Sequence, residues 1–168
     1  MLSSFSYAEE NQIQNLVTKK AIEHSVPPRL AHAVVKVESR YIVTARNGSS
    51  IGLGQIQCRT AKGIGLSGDC KRLYDPETNL HYSFKYLKMA LDRAQGNECH
   101  AATLYNRGLG NRPGPSGYCN KVYAAMGERP VVVKTTNKKT KGKGKTIEPV
   151  VSKEEKDALT KLISGQFD

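Results

Sequence analysis

The sequence predicts a mainly α-helical core domain followed by a basic C-terminal extension. Apolar residues recur at three- and four-residue intervals in several segments, which is the spacing of one face of a helix. Clusters of Gly, Pro, Ser and Asn separate these segments, as expected of loops. No segment alternates apolar and polar residues convincingly, and the apolar run at 131–133 is too short to build a sheet. A chain of 168 residues has room for one domain with its own core and a tail.

Six helices are predicted in the core domain. Their expected extents are residues 7–24, a segment from Pro28 to about Glu38, residues 55–62, a segment from Asp75-Pro76 to about Leu91, residues 98–106 and residues 118–126. The fourth is expected to be the longest, because its apolar face continues as far as Leu91. Residues 46–54 and 108–117 are rich in Gly with Ser, Asn or Pro, and both segments are predicted to be loops.

Glu38 lies at the edge of the apolar face of the second helix, near its C-terminal end. That face is formed by Leu30, Ala33, Val34 and Val37. A carboxylate at this position is beside the core and at the negative end of the helix dipole. Both influences disfavour its ionised form, so a raised pKa is expected.

The formal charge of +11 is shared by the core and the extension. Residues 1–129 carry 17 Lys and Arg against 10 Asp and Glu, and residues 130–168 carry 9 against 5. This field attracts any polyanion, including nucleic acid, anionic lipid or a cell wall, and net charge does not select among them. In the extension, residues 134–145 are a polar Lys-rich run that predicts a flexible linker. Ser152 and Glu155 have capping-box spacing and predict a short amphipathic helix after it.

The four cysteines predict two disulfides in preference to a metal site. Cys58, Cys70, Cys99 and Cys119 form no CxxC pair and show no zinc-finger spacing. Of the three connectivities, we favour the short closures Cys58–Cys70 and Cys99–Cys119, each worth about 3 kcal/mol. Disulfides indicate an oxidising compartment, and four buried thiols in a cytosolic protein are the alternative. No metal or cofactor is expected.

The N-terminal residues leave two interpretations open. No stretch is long enough to span a membrane, and no complete signal peptide is present. Ser6-Tyr7-Ala8 has the pattern of a signal cleavage site, which would make the first residues the remnant of an export signal. Equally, Ser6 and Glu9 have the spacing of a capping box at a helix start. The first interpretation, together with the cysteines, predicts a periplasmic or secreted protein.

Glu38 is also a candidate catalytic residue. Enzymes that cleave glycosidic bonds normally use two carboxyl groups, one as the acid and one as the nucleophile or base. The 30 residues that follow Glu38 contain no Asp or Glu and offer hydroxyl and amide groups instead. By itself, a glutamate at a helix edge is most often solvated or salt-bridged. The sequence segments around Glu38 favour a catalytic role instead.

Five short segments occur in an order and spacing typical of one enzyme family. They are residues 37–41 (VESRY), 50–56 (SIGLGQI), 60–61 (TA), 75–80 (DPETNL) and 105–108 (YNRG). Together they resemble the catalytic domain of soluble-type (SLT, family 1) lytic transglycosylases, which carry ES, GLMQI, a DP..N helix start and AYN.G in this order. The resemblance covers about Leu30 to Met126. Each motif alone is weak, whereas their succession is specific.

The resemblance implies a lysozyme-like helical fold with a groove for a glycan strand of peptidoglycan. Glu38 matches the family's single acid/base, which protonates the oxygen between MurNAc and GlcNAc. The same carboxylate then deprotonates the C6 hydroxyl of MurNAc, which closes on C1 and leaves a 1,6-anhydroMurNAc end. The substrate supplies the nucleophile, which fits the missing second carboxylate. We expect burial and a hydrogen bond from a neighbouring phenol to keep Glu38 protonated.

The resemblance also implies residues that bind the substrate. Tyr105 matches the tyrosine beside the glutamate, Gln55 the glutamine that shapes the groove, and Asn106 the asparagine next to the tyrosine. Outside these motifs, Tyr105 would be interpreted as a core aromatic and the two amides as loop or capping residues.

Four further residues are expected at or near the groove. Ser50 opens the segment that matches GLMQI, and Asn47 lies near a serine that holds the N-acetyl group in many relatives. Ser39 is expected to brace the glutamate helix more than to touch the substrate. Tyr118 is expected either to line the groove or to cover the Cys99–Cys119 bridge.

Three positions depart from the family pattern. The first is Asn47, near the usual serine, in a loop one residue shorter than in some relatives. Gly54 replaces the usual methionine and is expected to leave space or flexibility where a thioether packs. Arg107 stands where Ala or Gly is common and is expected to place a positive charge at the groove rim.

Two other functions fit parts of the sequence. A hydrolase of goose-type lysozyme character would share the fold and the glutamate but admit a water molecule. A non-catalytic binder of cell wall or nucleic acid would use the charge of +11, although the Lys-rich run has no interleaved aromatics and no nucleic-acid motif is recognised. The expected partner is a peptidoglycan strand bound by a monomer. Recruitment by the last helix to an envelope-spanning secretion or cell-wall machine is a further hypothesis.

Overall fold

The computed structural model describes the backbone of residues 3–127 and the side chains of residues 11–127. The helices are α1 (Ser3–Glu23), α2 (Pro28–Ser39), α3 (Cys58–Gly63), α4 (Pro76–Arg93), α5 (Glu98–Arg107) and α6 (Gly117–Ala125), with a 3₁₀ turn at Cys70–Tyr74. The strands are β1 (Arg46–Asn47), β2 (Ser50–Ile51) and β3 (Ile56–Gln57). The prediction of a mainly α-helical core is confirmed. The predicted linker and helix of the extension lie outside the described residues.

The helices pack around one apolar core. α4 contacts both α1 and α5, and α2 contacts both α1 and α6. Phe84 and Leu87 of α4, Leu30 and Val34 of α2 and Leu104 of α5 are completely buried there. Burying such side chains stabilises the fold by about 1.5–3 kcal/mol each. No helix in the described part of the chain is long and apolar enough to cross a bilayer.

The prediction that α4 is the longest helix is wrong. α1 has 21 residues and α4 has 18. α1 begins at Ser3 and runs through Ser6, so the predicted capping box does not mark its start. No Gly or Pro precedes Ser6 to stop the helix, which is why it extends further towards the N-terminus than the apolar pattern indicated.

The predicted loop at 46–54 contains two strands that the sequence did not reveal. β1, β2 and β3 form a small antiparallel sheet, in which Ser50 pairs with both Asn47 and Gln57. Gly48 turns the chain between β1 and β2 with a φ of 58°, a conformation that glycine adopts without strain. Each strand has two residues, so no alternation is present to detect. The third helix also starts later than predicted, at Cys58, because residues 56 and 57 belong to the sheet.

Side-chain caps fix the later helix starts. The Asp75 carboxylate accepts the Thr78 N–H at 2.8 Å, and Pro76 occupies the first helical position, as the sequence predicted. Asn97 caps α5 and Ser116 caps α6 in the same way.

Both favoured disulfides are present. Cys58–Cys70 joins the start of α3 to the 3₁₀ turn, with the two Cα atoms 5.6 Å apart. Cys99–Cys119 joins α5 to α6, with the two Cα atoms 5.0 Å apart.

The turn that follows α2 is held by a chain of hydrogen bonds. Arg40 and Tyr41 have φ values of 54° and 64°, and the helix ends there. The Tyr41 Oη atom lies 2.9 Å from His32 Nδ1, and His32 Nε2 lies 2.8 Å from Thr18 Oγ1 of α1. The turn after Ser39 is thus tied to the body of the helix bundle.

Candidate active site

A cavity of ≈ 220 Å³ contains Glu38. Its walls come from the end of α2, from the segment 50–60 and from α4 and α5. The lining residues are Glu38, Ser50, Gln55, Ile56, Gln57, Thr60, Tyr86, Tyr105, Asn106, Arg107 and Gly108. Most of them offer hydroxyl, amide or aromatic groups, which is the chemistry that binds a sugar chain, and Glu38 is the one carboxylate in the lining.

Glu38 is partly buried and its pKa is raised. Burial is the main cause, because a charge is poorly solvated in this position. The Tyr118 hydroxyl donates a 2.6 Å hydrogen bond to Glu38 Oε1, and this bond and the positive charge of Lys121 act in the opposite direction. The expectation that a phenol would help to keep Glu38 protonated is therefore wrong, because a donor stabilises the carboxylate anion. Burial alone accounts for the raised pKa.

Two tyrosines flank Glu38, and they have different roles. Tyr118, on α6, makes the hydrogen bond to the carboxylate. Tyr105, on α5, shares the cavity with Glu38 but donates its hydroxyl to the carbonyl of Gly54 at 2.6 Å. Burial and the nearby negative charge of Glu38 raise the pKa of both phenols, so both remain protonated donors.

Asn79 holds the segment opposite Glu38 in place. Its side chain is 1% exposed and uses both ends of the amide. Oδ1 accepts the Gly54 N–H at 2.9 Å, and Nδ2 donates to the carbonyls of Ile51 and Leu73, both at 2.8 Å. Asn79 was not among the site residues predicted from the sequence. Its place in the DP..N segment was the available signal.

Gly54 is tightly packed, so the expectation of extra space at this position is wrong. A Cβ atom there would lie 2.3 Å from Ser83 Oγ, 2.5 Å from Ser83 Cβ and 2.9 Å from the Tyr105 hydroxyl. Such distances do not occur without a shift of the neighbours. In this chain the glycine lets the backbone contact α4 and α5 directly, and no side chain fits between them.

Gln55 both lines the cavity and fixes the loop. Its backbone has a φ of 49°, which is uncommon for a residue other than glycine. Its side-chain Nε2 donates to the carbonyls of Ala45 at 3.0 Å and Gly52 at 2.9 Å. Asn106, at the end of α5, also lines the cavity and is exposed.

The remaining predicted residues are divided between the cavity and its surroundings. Ser50 lines the cavity, whereas its strand partner Asn47 is exposed and is not part of the lining. Ser39 is buried and donates its hydroxyl to the Val35 carbonyl at 3.1 Å, which is a bracing position within α2. Within residues 11–127, no three His, Cys, Asp or Glu side chains are grouped closely enough to hold a metal ion.

Comparison with known proteins identifies the family to which the chain is similar. The family model for the transglycosylase SLT domain matches residues 15–117. The lytic transglycosylase Slt of Pseudomonas aeruginosa, solved as an inactive glutamate variant, is similar in fold, with a TM-score of 0.53 and 24% identity over 57% of this chain. The 70-kDa soluble lytic transglycosylase of Escherichia coli has a TM-score of 0.53 and 22% identity over 67% of this chain. A complex of the 70-kDa soluble enzyme with bulgecin A has a TM-score of 0.51 and 21% identity over 67% of this chain.

These solved neighbours are much longer proteins. The match covers 17% of the Pseudomonas chain and 18% of each of the other two. The similarity to them concerns the fold, and the family match covers most of the region between α1 and α6. The chain belongs to the transglycosylase SLT domain family and has its lysozyme-like helical fold.

Proposed function

We propose that this chain is a peptidoglycan lytic transglycosylase that cleaves the MurNAc-β-1,4-GlcNAc bond with Glu38 as its single general acid/base. One observation carries the proposal. Glu38 is the one carboxylate in the cavity lining, and burial raises its pKa. A carboxyl group that keeps its proton near neutral pH can donate it to a glycosidic oxygen.

In the first step, Glu38 protonates the oxygen that links MurNAc C1 to GlcNAc. The bond from C1 to this oxygen breaks, and Glu38 becomes a carboxylate. The Tyr118 hydroxyl, 2.6 Å from Oε1, and the nearby Lys121 then stabilise the new negative charge. The hydrogen bond that disfavours the acid form before the step therefore favours the product of proton transfer.

In the second step, the Glu38 carboxylate removes the proton from the C6 hydroxyl of the same MurNAc. O6 bonds to C1 and closes the 1,6-anhydro ring, and Glu38 is again protonated. The step consumes no water and needs no second carboxylate, which fits a cavity lined otherwise by hydroxyl, amide and aromatic groups and by Arg107. Ser50, Gln55, Asn106 and the two tyrosines are proposed to hold the sugars.

The proposed function also extends to the domain organisation and the compartment of the protein. We assign residues 1–129 to the catalytic domain and residues 130–168 to a Lys-rich linker with a short helix. The two disulfides suit an oxidising compartment, so we place the protein in the periplasm or outside the cell, where its substrate lies. A hydrolase of goose-type lysozyme character remains the second candidate, since the same acid could serve a water molecule.

Digestion of purified murein tests the proposal. Wild type should clear a murein suspension and release muropeptides that are lighter than hydrolysed ones by one water molecule, as measured by mass spectrometry. Glu38→Gln should be about 10²- to 10⁴-fold slower, because it cannot donate a proton. Glu98→Gln is the matched control, since Glu98 pairs with Arg29 on the surface, and it should keep full activity. Muropeptides with only reducing MurNAc ends would contradict the transglycosylase proposal and favour the hydrolase.

A further inference from the structure

Arg107 is the one cation in the lining of the cavity. It is the last residue of α5, and its side chain is exposed. Every other lining residue except Glu38 is neutral. A sugar ring with its hydroxyl and N-acetyl groups is neutral as well, so binding the sugars themselves does not require a guanidinium group at this position.

The backbone that carries Arg107 is fixed. Gly108 has a φ of 100°, and the chain turns sharply after it. The Asn111 side chain donates to the carbonyls of Arg107 and Gly108, at 2.5 and 3.1 Å. The Leu109 N–H donates to the Tyr86 hydroxyl at 3.2 Å, which ties the turn to α4. The guanidinium group therefore extends from an anchored position at the cavity.

No carboxylate within residues 11–127 is paired with Arg107. All of these carboxylates have other partners. Glu23 and Glu77 pair with Lys20, Asp92 with Lys88 and Glu98 with Arg29, while Asp69 and Asp75 accept backbone N–H groups and Glu38 accepts the Tyr118 hydroxyl. The positive charge of Arg107 is thus not used in holding the described part of the fold together.

Arg107 is also not a determinant of the acidity of Glu38. The pKa of Glu38 is set by burial, by the Tyr118 hydrogen bond and by Lys121. A charge at the cavity that serves neither the fold nor the acid is available to a ligand. Arginine pairs with carboxylates through two parallel hydrogen bonds, which gives both strength and orientation.

We propose that Arg107 binds a carboxylate on the lactyl-peptide arm of MurNAc and so makes the cavity selective for carboxylate-bearing glycan strands. The inference rests on the proposed function, since it takes a peptidoglycan strand as the ligand. On such a strand the carboxylates lie on this arm, either on a free lactyl group or on the attached peptide. Arg107 is a specificity-determining residue, and Glu38 does the chemistry.

A binding experiment on the inactive Glu38→Gln protein tests this without any turnover. The probes are strands with intact peptides, strands stripped by an amidase to leave free lactyl carboxylates, and both kinds after conversion of their carboxyl groups to neutral amides. Adding Arg107→Ala should weaken binding of carboxylate-bearing strands about 10-fold, a typical loss for a charge-assisted hydrogen bond, and leave neutral strands unaffected. Arg107→Lys should weaken the binding of carboxylate-bearing strands by a smaller factor. Arg112→Ala, an exposed arginine outside the lining, is the control and should change nothing.

The probes also identify the source of the carboxylate. A loss confined to stripped strands assigns it to the lactyl group, and a loss confined to intact strands assigns it to the peptide. Equal weakening of charged and neutral strands, or no weakening at all, would overturn the inference.

Activity measured in protein that retains Glu38 separates the proposed catalytic function from the proposed carboxylate binding by Arg107. Arg107→Ala should raise KM about 10-fold with kcat nearly unchanged, because a contact made equally in the ground state and the transition state affects binding alone. If wild type fails to cleave murein while the charge-dependent binding persists, the proposed function fails and the recognition by Arg107 stands.

Discussion

The two walls of the cavity are built in different ways. Glu38 lies in the lining at the end of α2, and its hydrogen-bond donor Tyr118 lies behind it on α6. Both helices pack into the apolar core, and the Cys99–Cys119 bridge joins α6 to α5. The facing wall, residues 50–57, consists of two strands of two residues each and the turn between them, and it is held by side-chain hydrogen bonds with Asn79 and Tyr105. Apolar packing is spread over many contacts, whereas a few polar bonds concentrate the stability of the second wall. The acid should therefore tolerate substitution around it better than the facing wall does.

The largest effect is expected for Asn79→Ala. It removes four hydrogen bonds, of which the 3.4 Å bond from Ser83 is the longest, and leaves the Gly54 N–H and the carbonyls of Ile51 and Leu73 without their partner. At about 1–3 kcal/mol for each unsatisfied buried group, the free energy of unfolding should fall by about 3 kcal/mol or more, as measured by urea denaturation. Ser83→Ala is the control, since it removes the 3.4 Å bond to Asn79 and the interaction with the Tyr105 hydroxyl but leaves the three backbone groups paired with Asn79, and it should cost far less. A similar loss of unfolding free energy in both variants would contradict the idea that a few hydrogen bonds of Asn79 hold this wall.

Gly54→Ala should be the next most damaging change. The new methyl group would overlap Ser83, and overpacking typically costs about 1–3 kcal/mol. A double-mutant cycle with Ser83→Gly should show a favourable coupling, because the smaller residue makes room for the methyl group. The measurement is chemical denaturation of all four proteins. If the losses of stability in the two single variants simply add in the double variant, then contact with Ser83 is not the reason that position 54 requires glycine.

Tyr118→Phe probes the helical wall and should cost only about 1 kcal/mol of stability. Its clearer effect is on the pH dependence of activity. The Tyr118 hydrogen bond lowers the pKa of Glu38, so its removal should raise that pKa further and move the alkaline limb of kcat to higher pH. Tyr82→Phe, which loses a surface bond to the Gly65 carbonyl, should leave the profile in place. A shift of the limb to lower pH would contradict the assigned role of Tyr118.

The smallest effect is expected away from both walls, at the pair His24 and His81. Their ring nitrogens lie 3.1 Å apart, and the pKa of each is lowered from 6.5, first by burial and then by neighbouring charges that include Lys20 and Lys85, with Glu23 acting in the opposite direction. The folded state therefore binds fewer protons than the unfolded state near pH 6. The stability that the pair contributes is present above its unfolded pKa and is lost as the pH falls below it.

His24→Gln should flatten this dependence, seen as a smaller drop of Tm between pH 7 and pH 5, while the walls of the cavity are untouched. The raised pKa of Glu38 acts in the opposite direction in acid, but it is common to both proteins and cancels in the comparison. His100→Gln, on the surface of α5, serves as the control. An unchanged slope in His24→Gln would show that the pair does not titrate as described.

The difference between the walls also explains what the sequence could predict. Apolar periodicity and the Asp75-Pro76 start located the helices, and the motif order singled out Glu38 from the sequence alone. The facing wall was predicted poorly, because strands of two residues have no period and because the space around Gly54 depends on Ser83 from a distant segment. The two phenols near Glu38 could not be distinguished for a similar reason. Which of them reaches the carboxylate is decided by the packing of α6 against α2.

The hydrogen-bond chain behind α2 also places both nitrogens of one imidazole in use. His32 Nε2 lies 2.8 Å from the Thr18 hydroxyl and Nδ1 lies 2.9 Å from the Tyr41 hydroxyl. A neutral imidazole has one donor and one acceptor nitrogen, so one of these hydroxyls donates to the ring and the other accepts from it. Burial lowers the pKa of His32 and so favours this neutral form. A second proton would make both nitrogens donors, and the hydroxyl that donated to the ring would have to turn to a backbone carbonyl, Thr18 to that of Gln14 or Tyr41 to that of His32.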